Sequence, residues 1–250
     1  MKPVAIFRFA TIDGPAYFAD WLSSEGIAWT EVRIDQGAAV PSDPEAYSGI
    51  GMMGGPMSVN DALPWIDPML RLIREAQARG IPLIGHCLGG QLISRALGGS
   101  VGLNRRDGEQ AKEIGWHTIR AEPNAAARQW LGDAPVFDVF QWHGETFSIP
   151  PGATRLAGSE LCDNQMFAIG PSIGMQCHVE MDEATISTWC EGGAPEVAEA
   201  LAGPRPGGVQ TADQVLGLTP ERLPRMRQLT TRIYRRWAEG LGRGSIPHSP

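Results

Sequence analysis

The sequence predicts an α/β fold in which an open, mostly parallel central sheet carries helices on both faces and continues into a partly antiparallel extension. Over residues 4–97, short apolar runs alternate with segments whose apolar residues recur at helical spacing. This alternation is typical of parallel strands joined by crossover helices. Residues 113–180 differ, because short strand-like runs follow one another there with little helical pattern between them. That change predicts the antiparallel part of the sheet.

The individual elements follow from apolar periodicity and from glycine or proline breaks. In the first part we expect strands over 4–9, 30–35, 49–54 and 81–85, and helices over 15–24, 65–79 and 88–97. In the second part we expect short strands within 113–180, a helix over 185–202, a loop over 203–208 and an arginine-rich helix over 220–241. A chain of this length can enclose one sizeable core. We therefore expect one domain over 1–250, with its core at 4–190 and a C-terminal helical extension at 191–250.

Composition and charge argue against several classes of protein. The net charge of −7 disfavours a nucleic-acid-binding surface. No run of 18 apolar residues is present, so we expect no membrane span, and Arg8 interrupts the first apolar run as in a strand rather than a signal peptide. Four scattered cysteines indicate a reducing, cytoplasmic environment. We expect no metal and no cofactor, since the sequence shows neither ligand spacing nor a glycine-rich phosphate loop after residue 180.

A glycine-rich turn joins the predicted strand at 81–85 to the predicted helix at 88–97, and Cys87 lies at its centre. A reactive side chain between a strand and a helix, with glycines on both sides, is the arrangement of a nucleophile elbow. The helix N-terminus favours the thiolate, which is the reactive form of cysteine. Most free cysteines pack in a core instead, but the flanking glycines favour a nucleophile here.

A base with an orienting carboxylate follows another apolar strand pattern, at His178 and Glu180. Residues two apart in an extended segment point to the same side. The carboxylate can therefore hold the imidazole tautomer while the other ring nitrogen faces Cys87. The alternative is that this histidine and glutamate are surface residues at a strand end. The presence of the nucleophile elbow makes that alternative the weaker one. The other cysteines lack the context of a nucleophile: Cys162, Cys177 and Cys190.

Four blocks of sequence together resemble the class I, or triad, glutamine amidotransferases. The blocks are GGP at 54–56, GHCLGGQ at 85–91, QWHGETF at 141–147 and GMQCHVE at 174–180. Within this family, the chain is similar to free-standing domains like the amidotransferase half of GMP synthetase. The resemblance implies a flavodoxin-like architecture. One departure is Val179, where the family usually has proline between the histidine and the glutamate.

The resemblance implies that Cys87 attacks the side-chain amide of glutamine and forms a γ-glutamyl thioester with release of ammonia. His178 serves as the acid and base, and Glu180 orients it. The N–H of Leu88, directly after the nucleophile, is one expected oxyanion donor; the resemblance supplies Gly55 as the second. It places three residues in the glutamine site: Gln91, His143 and Gly144. His143 as an alternative base stays open.

Two other classes of function also stay open. A γ-glutamyl peptide hydrolase uses the same triad on an amide with a larger leaving group, and the triad does not separate the two. A catalytically silent regulatory domain is disfavoured, because the triad is complete. Ammonia transfer would need a separate synthetase subunit or acceptor enzyme as partner. Of the other histidines, we expect His86 to point away from Cys87, and His117 and His248 to belong to no cluster.

Overall fold

Residues 1–242 are described by the computed structural model, which has an α/β fold. Its strands are β1 Val4–Arg8, β2 Trp29–Arg33, β3 Gly49–Met52, β4 Leu83–His86, β5 Val101–Leu103, β6 Arg105–Arg106, β7 Glu109–Gln110, β8 Glu113–Ala121, β9 Val136–His143, β10 Glu145–Phe147, β11 Thr154–Ser159, β12 Met166–Ile169 and β13 Ser172–Met175. Its α-helices are α1 Ala16–Ser24, α2 Ile66–Ala78, α3 Leu88–Ala96, α4 Ala125–Leu131, α5 Glu183–Gly192, α6 Ala194–Leu201 and α7 Ala212–Ala238.

One large sheet contains nine of the strands, in the order β2-β1-β3-β4-β13-β12-β11-β8-β9. Strands β2, β1, β3, β4 and β13 run parallel to one another. From β13 onward, each strand is antiparallel to the next, through to β9. This arrangement confirms the predicted fold class, with a parallel end and an antiparallel extension.

Strand β1 shows how the sheet separates two hydrophobic cores. Successive strand residues point to opposite faces, so Val4 and Ile6 pack in one core and Ala5 and Phe7 in the other. The first core also receives apolar side chains of α1, α4, α5 and α7. The second is covered by α2 and α3. Helices on both faces therefore bury the sheet, as the run of apolar residues in its strands predicts.

The C-terminal helix begins earlier than the sequence pattern predicts. The prediction of a helix over 220–241 places Pro220 at its start, but α7 begins at Ala212 and contains Pro220 in its interior. The start is set by a capping box. Thr211 accepts a hydrogen bond from the N–H of Gln214, whose side chain accepts one from the N–H of Thr211.

Two further differences lie in the segments beside the antiparallel strands. Between β8 and β9, where little helix is expected, Asn124 caps α4 by accepting a hydrogen bond from the N–H of Ala127. The single helix expected over 185–202 is two helices, α5 and α6, separated at Gly193.

The domain division stays a prediction. The boundary expected at residue 190 falls inside α5, and the last part of the extension expected at 191–250, residues 243–250 with His248, lies outside the described residues. Within residues 1–242, no helix is both long enough and apolar enough to cross a membrane.

The turn between β4 and α3 depends on very close backbone packing. A Cβ on Gly89 would lie 2.3 Å from the carbonyl oxygen of Met52 in β3, and one on Gly90 would lie 2.4 Å from that of Met175 in β13. Backbone atoms cannot move aside as flexible side chains can. Glycine at these two positions therefore lets α3 approach both neighbouring strands.

We predict that Gly89→Ala destabilises the protein by about 3 kcal/mol or more, because a methyl group forced against backbone acts as overpacking. The matched control is Gly217→Ala in α7, where an added Cβ meets nothing within 4 Å. That exposed helix position should gain roughly 0.5–1 kcal/mol. Denaturant unfolding of the two variants measures both effects, and equal stabilities would contradict the packing argument.

Candidate active site

Cys87 lies in the turn that follows β4, beside the end of the parallel strand β13. Its N–H donates to the carbonyl oxygen of Met175 at 2.8 Å. Its backbone has φ 49° and ψ −107°, a strained conformation for a residue with a side chain. The sulfur thus lies at the carboxyl edge of the sheet and at the N-terminus of α3, as the sequence predicts.

The chain leaving β13 carries His178 to the same edge. The N–H of His178 donates to the carbonyl oxygen of Phe140 in β9 at 2.8 Å. On its ring, Nδ1 lies 2.7 Å from Oε1 of Glu180, whereas the buried Nε2 has no hydrogen-bond partner among the described residues. Gly54 borders both groups, since a Cβ there would lie 2.9 Å from Cε1 of His178 and 3.8 Å from Cβ of Cys87. The structure therefore brings the three predicted catalytic side chains together.

The charges of this group favour a protonated histidine. Burial alone lowers the pKa of His178, but the negative charges of Glu180 and Cys87 outweigh it and raise the pKa well above its ordinary value. Burial likewise raises the pKa of Glu180, yet the imidazoles of His86 and His178 outweigh it, and this pKa is lowered. An imidazolium held by an ionised carboxylate has a proton to give to a leaving amine.

A second histidine supports Glu180 from behind. His86 is not among the residues that line the cavity in front of Cys87, consistent with the expected direction. Its Nε2 lies 3.8 Å from Oε2 of Glu180 and 3.3 Å from the hydroxyl of Tyr234 in α7. Burial lowers the pKa of His86. The sequence gives no sign of this contact, because Tyr234 is distant along the chain.

A pair of glutamines links the predicted substrate site to the nucleophile. The side-chain amide of Gln176 donates to Sγ of Cys87 at 3.5 Å, and its oxygen accepts from Gln91 at 3.2 Å. Gln91 also lines the cavity. Sequence reasoning missed Gln176, although the two-residue spacing of Gln176, His178 and Glu180 was a signal that all three point to one side.

A cavity of about 670 Å³ opens in front of Cys87 and His178. Gly55, Gln91, His143 and Gly144 all line it, where the sequence analysis expects oxyanion and substrate contacts. Leu88 is not among the lining residues, and its side chain is buried in the core between α2 and α3. As the first residue of α3, it has an N–H with no acceptor inside the helix.

His143 is held in place by both ring nitrogens. Nδ1 lies 2.9 Å from the carbonyl oxygen of Glu145, and Nε2 lies 3.1 Å from Oε2 of Glu113. With both nitrogens engaged, His143 is poorly placed to accept a proton from Cys87. His117 also belongs to this group, contrary to expectation, because its Nδ1 lies 3.8 Å from Glu113.

The same cluster contains groups that could ligate a metal. Ligand atoms of Glu113, His143 and Cys162 lie within 4.8 Å of one another. However, Glu113 already accepts a second hydrogen bond from Gln165 at 2.7 Å. Burial also raises the pKa of Cys162 to about 12, and a metal ligand has to be the thiolate. The cluster therefore fits a hydrogen-bonded support for His143 better than a metal centre.

Asp13 is a buried acid beside the triad that sequence reasoning missed. It lies in the loop between β1 and α1, lines the cavity and is 7% exposed. Its carboxylate makes no hydrogen bond or ion pair with any described residue. Burial raises the pKa of Asp13 to about 6, since it outweighs the positive charge of His178, which alone would lower this pKa.

Comparison with known proteins places the chain in a family. Residues 19–187 match the sequence model described as glutamine amidotransferase class-I. That match covers more than half of the chain, so the protein belongs to the class I glutamine amidotransferases. A solved structure of a glutamine amidotransferase from Methylobacillus flagellatus is 39% identical, with a TM-score of 0.92 over 100% of this chain and 99% of that one.

The curated relatives include hydrolases as well as amidotransferases. The amidotransferase-like protein YfeJ of Salmonella typhimurium is 27% identical over 190 residues, or 73% of this chain and 77% of YfeJ. Gamma-glutamyl peptidase 3 of Arabidopsis thaliana is 28% identical over 159 residues, or 61% of this chain and 62% of the peptidase. The GMP synthase of Aromatoleum aromaticum is 30% identical over 124 residues, or 47% of this chain and only 22% of the synthase. The predicted similarity to GMP synthetase is thus confirmed.

We predict that a limiting amount of iodoacetamide labels Cys87 far faster than the other cysteines. Alkylation requires a thiolate. Burial raises the pKa of Cys162 to about 12, that of Cys177 well above its ordinary value, and that of Cys190 as well. Peptide mass spectrometry of the folded protein measures the order of labelling, and the unfolded protein, with all four cysteines reactive, is the control. First modification at any other cysteine would contradict the assignment.

We predict that Asp13→Asn stabilises the protein above pH 6 and has little effect below pH 4. A raised pKa in the fold means that stability is complete while the acid is protonated and is lost as the pH rises through about 6. A shift of about two pH units corresponds to roughly 3 kcal/mol. Denaturant unfolding of both proteins from pH 4 to 8 measures the difference, and parallel curves would refute the prediction. The exposed Asp20→Asn in α1 is the charge-matched control.

Proposed function

We propose that this protein hydrolyses γ-glutamyl amides, with glutamine as the smallest substrate. The observation that carries the proposal is the placement of His178. Nδ1 is held by the buried Glu180, and Nε2 is buried with no hydrogen-bond partner among residues 1–242. Cys87 lies close enough to the ring to raise the pKa of His178. This is the arrangement of a nucleophile, its base and an orienting third group.

The reaction follows from these positions. The thiolate of Cys87 attacks the γ-carbonyl carbon, and the imidazolium of His178 gives its proton to the amine as the carbon–nitrogen bond breaks. Neutral His178 then removes a proton from water, which attacks the γ-glutamyl thioester. Glutamate leaves, and the thiolate and imidazolium are restored. Glu180 stays ionised throughout and stabilises the imidazolium.

The tetrahedral oxyanion needs two donors, and the N–H groups of Leu88 and Gly55 are our assignment. Leu88 begins α3, whose N-terminal N–H groups and dipole favour negative charge. Gly55 lines the cavity on the same side. Loss of one such donor typically raises the barrier by about 2.7–4 kcal/mol. Gln91, with the backbone around His143 and Gly144, is proposed to hold the glutamyl part of the substrate.

A larger γ-glutamyl amide is a second candidate substrate, and the cavity favours it. A volume of about 670 Å³ is in the range that holds drug-sized ligands, whereas glutamine is a single small amino acid. A similar gamma-glutamyl peptidase also matches the chain. Delivery of ammonia to a separate synthetase is the other use of the same chemistry, and it predicts weak glutaminase activity until that partner is added.

We predict that the isolated protein releases glutamate and ammonia from glutamine slowly, and that Cys87→Ser and His178→Asn each reduce kcat by at least about 10⁴-fold. Glu180→Gln should cost less, because Glu180 touches only the base. Coupled glutamate detection measures turnover, and circular dichroism checks that each variant is folded.

His143→Asn is the matched control, since it removes a histidine of the same cavity that has both nitrogens engaged. A loss equal to that of His178→Asn in a folded protein would reassign the base. Rapid cleavage of γ-glutamyl dipeptides with no ammonia from glutamine would favour the larger substrates over glutamine.

A further inference from the structure

The cavity has two sides, and His178 identifies the one that receives the leaving amine. His178 has to protonate the departing nitrogen, so that nitrogen lies next to it. The walls on this side come from the β1–α1 loop and from α5 and α6: Ile12, Asp13, Trp189, Gly192, Gly193 and Glu196. Trp189 stacks edge-on against the His178 ring at 4.8 Å, and its indole N–H donates to the carbonyl oxygen of Ile12. These contacts fix the loop that carries Asp13 beside the base.

The charge on this side is negative and incompletely balanced. Asp13 and Glu196 are its two acids, and no lysine or arginine lines any part of the cavity within residues 1–242. Glu196 is already satisfied, by Lys112 at 2.8 Å and by the indole of Trp142 at 2.9 Å. Asp13 has no such partner among the described residues, although the residue is only 7% exposed.

Two positive charges act on Asp13, those of His178 and Arg8, and both lower its pKa, but neither side chain forms a hydrogen bond with its carboxylate. Arg8 donates to the carbonyl oxygens of Ala10 and Thr11 and pairs with Asp35 and Glu31 instead. A buried carboxylate without a partner is costly, and such groups are normally paired. A partner supplied by the substrate would remove this cost only while the substrate is bound.

We propose that the leaving amine carries a second, positively charged amino group, which binds Asp13; the substrate class is then a γ-glutamyl diamine. This inference rests on the proposed function and specifies the substrate of the same site. The methylene stem of such an amine packs against Trp142 and Trp189, whose faces also attract a cation. Hydrolysis is balanced by water alone: the γ-glutamyl amide and water give glutamate and the free diamine.

A series of three leaving amines of similar length tests the charge preference. The substrates are the γ-glutamyl amides of butylamine, 1,4-diaminobutane and 4-aminobutanoate, which end in a methyl, an ammonium and a carboxylate. We expect the diamine amide to exceed the butyl amide at least tenfold in kcat/KM, and the carboxylate to be the poorest. In the Asp13→Asn variant, kcat/KM for the diamine amide should differ from kcat/KM for the butyl amide by no more than about threefold.

Each comparison uses the ratio of kcat/KM for two amides measured with the same variant. Because both amides need His178, any effect of Asp13 on His178 cancels in that ratio. Asp20→Asn, an exposed charge-matched change in α1, should keep the preference. Equal rates on all three amides, or a preference that survives in Asp13→Asn, would overturn the inference while glutamine hydrolysis still supports the proposed function. Hydrolysis of neither glutamine nor any of the three amides would overturn both.

Discussion

The close backbone contact between α3 and its two neighbouring strands is the constraint on which the site depends. Gly89 lies against β3 and Gly90 against β13, so the helix starts directly behind the sheet edge. The turn before it is forced into a strained conformation, and the N–H of Cys87 is bonded to the last residue of β13. The chain that leaves β13 carries His178 and Glu180. One packing contact therefore sets both the direction of the nucleophile and its distance from the base.

Burial and pairing divide the polar groups near the site into two kinds. Glu113 and Glu180 are buried but receive hydrogen bonds from histidines, so they support structure and hold imidazoles in place. Nε2 of His178 has no hydrogen-bond partner among the described residues. The carboxylate of Asp13 feels the charges of His178, Glu180 and Arg8 but is hydrogen-bonded to none of them. Unsatisfied buried groups are costly, and both of these face the cavity. The free energy that the fold gives up at these positions becomes available to a substrate that completes their bonding.

The parts of the site that could be predicted from sequence are those set by local spacing. Cys87 lies between a strand and a helix, and His178 and Glu180 are two residues apart, so periodicity alone brings each into position. Asp13 and His86 reach the site through packing between distant segments, which no local pattern records, whereas the spacing of Gln176 from His178 was a local signal. The fold shows the same division. The alternation of strand-like and helix-like segments predicted the parallel strands. The start of α7 was predicted wrongly, because Pro220 was taken as its first residue whereas the helix begins at the capping box of Thr211.

Helix α7 lies outside the segment that matches the family model, yet it packs directly behind the triad. The family match ends at residue 187, but Thr230 donates to the carbonyl oxygen of Val179 at 2.9 Å, between the base and its carboxylate. Tyr234 reaches the back of the triad through His86. Residues 19–187 therefore depend on the helix that follows them. A chimaera that joined these residues to another protein's C-terminal helix would keep the triad but lose the contacts that Thr230 and Tyr234 make behind it. Recombination at residue 187 would separate the triad from the helix that packs behind it.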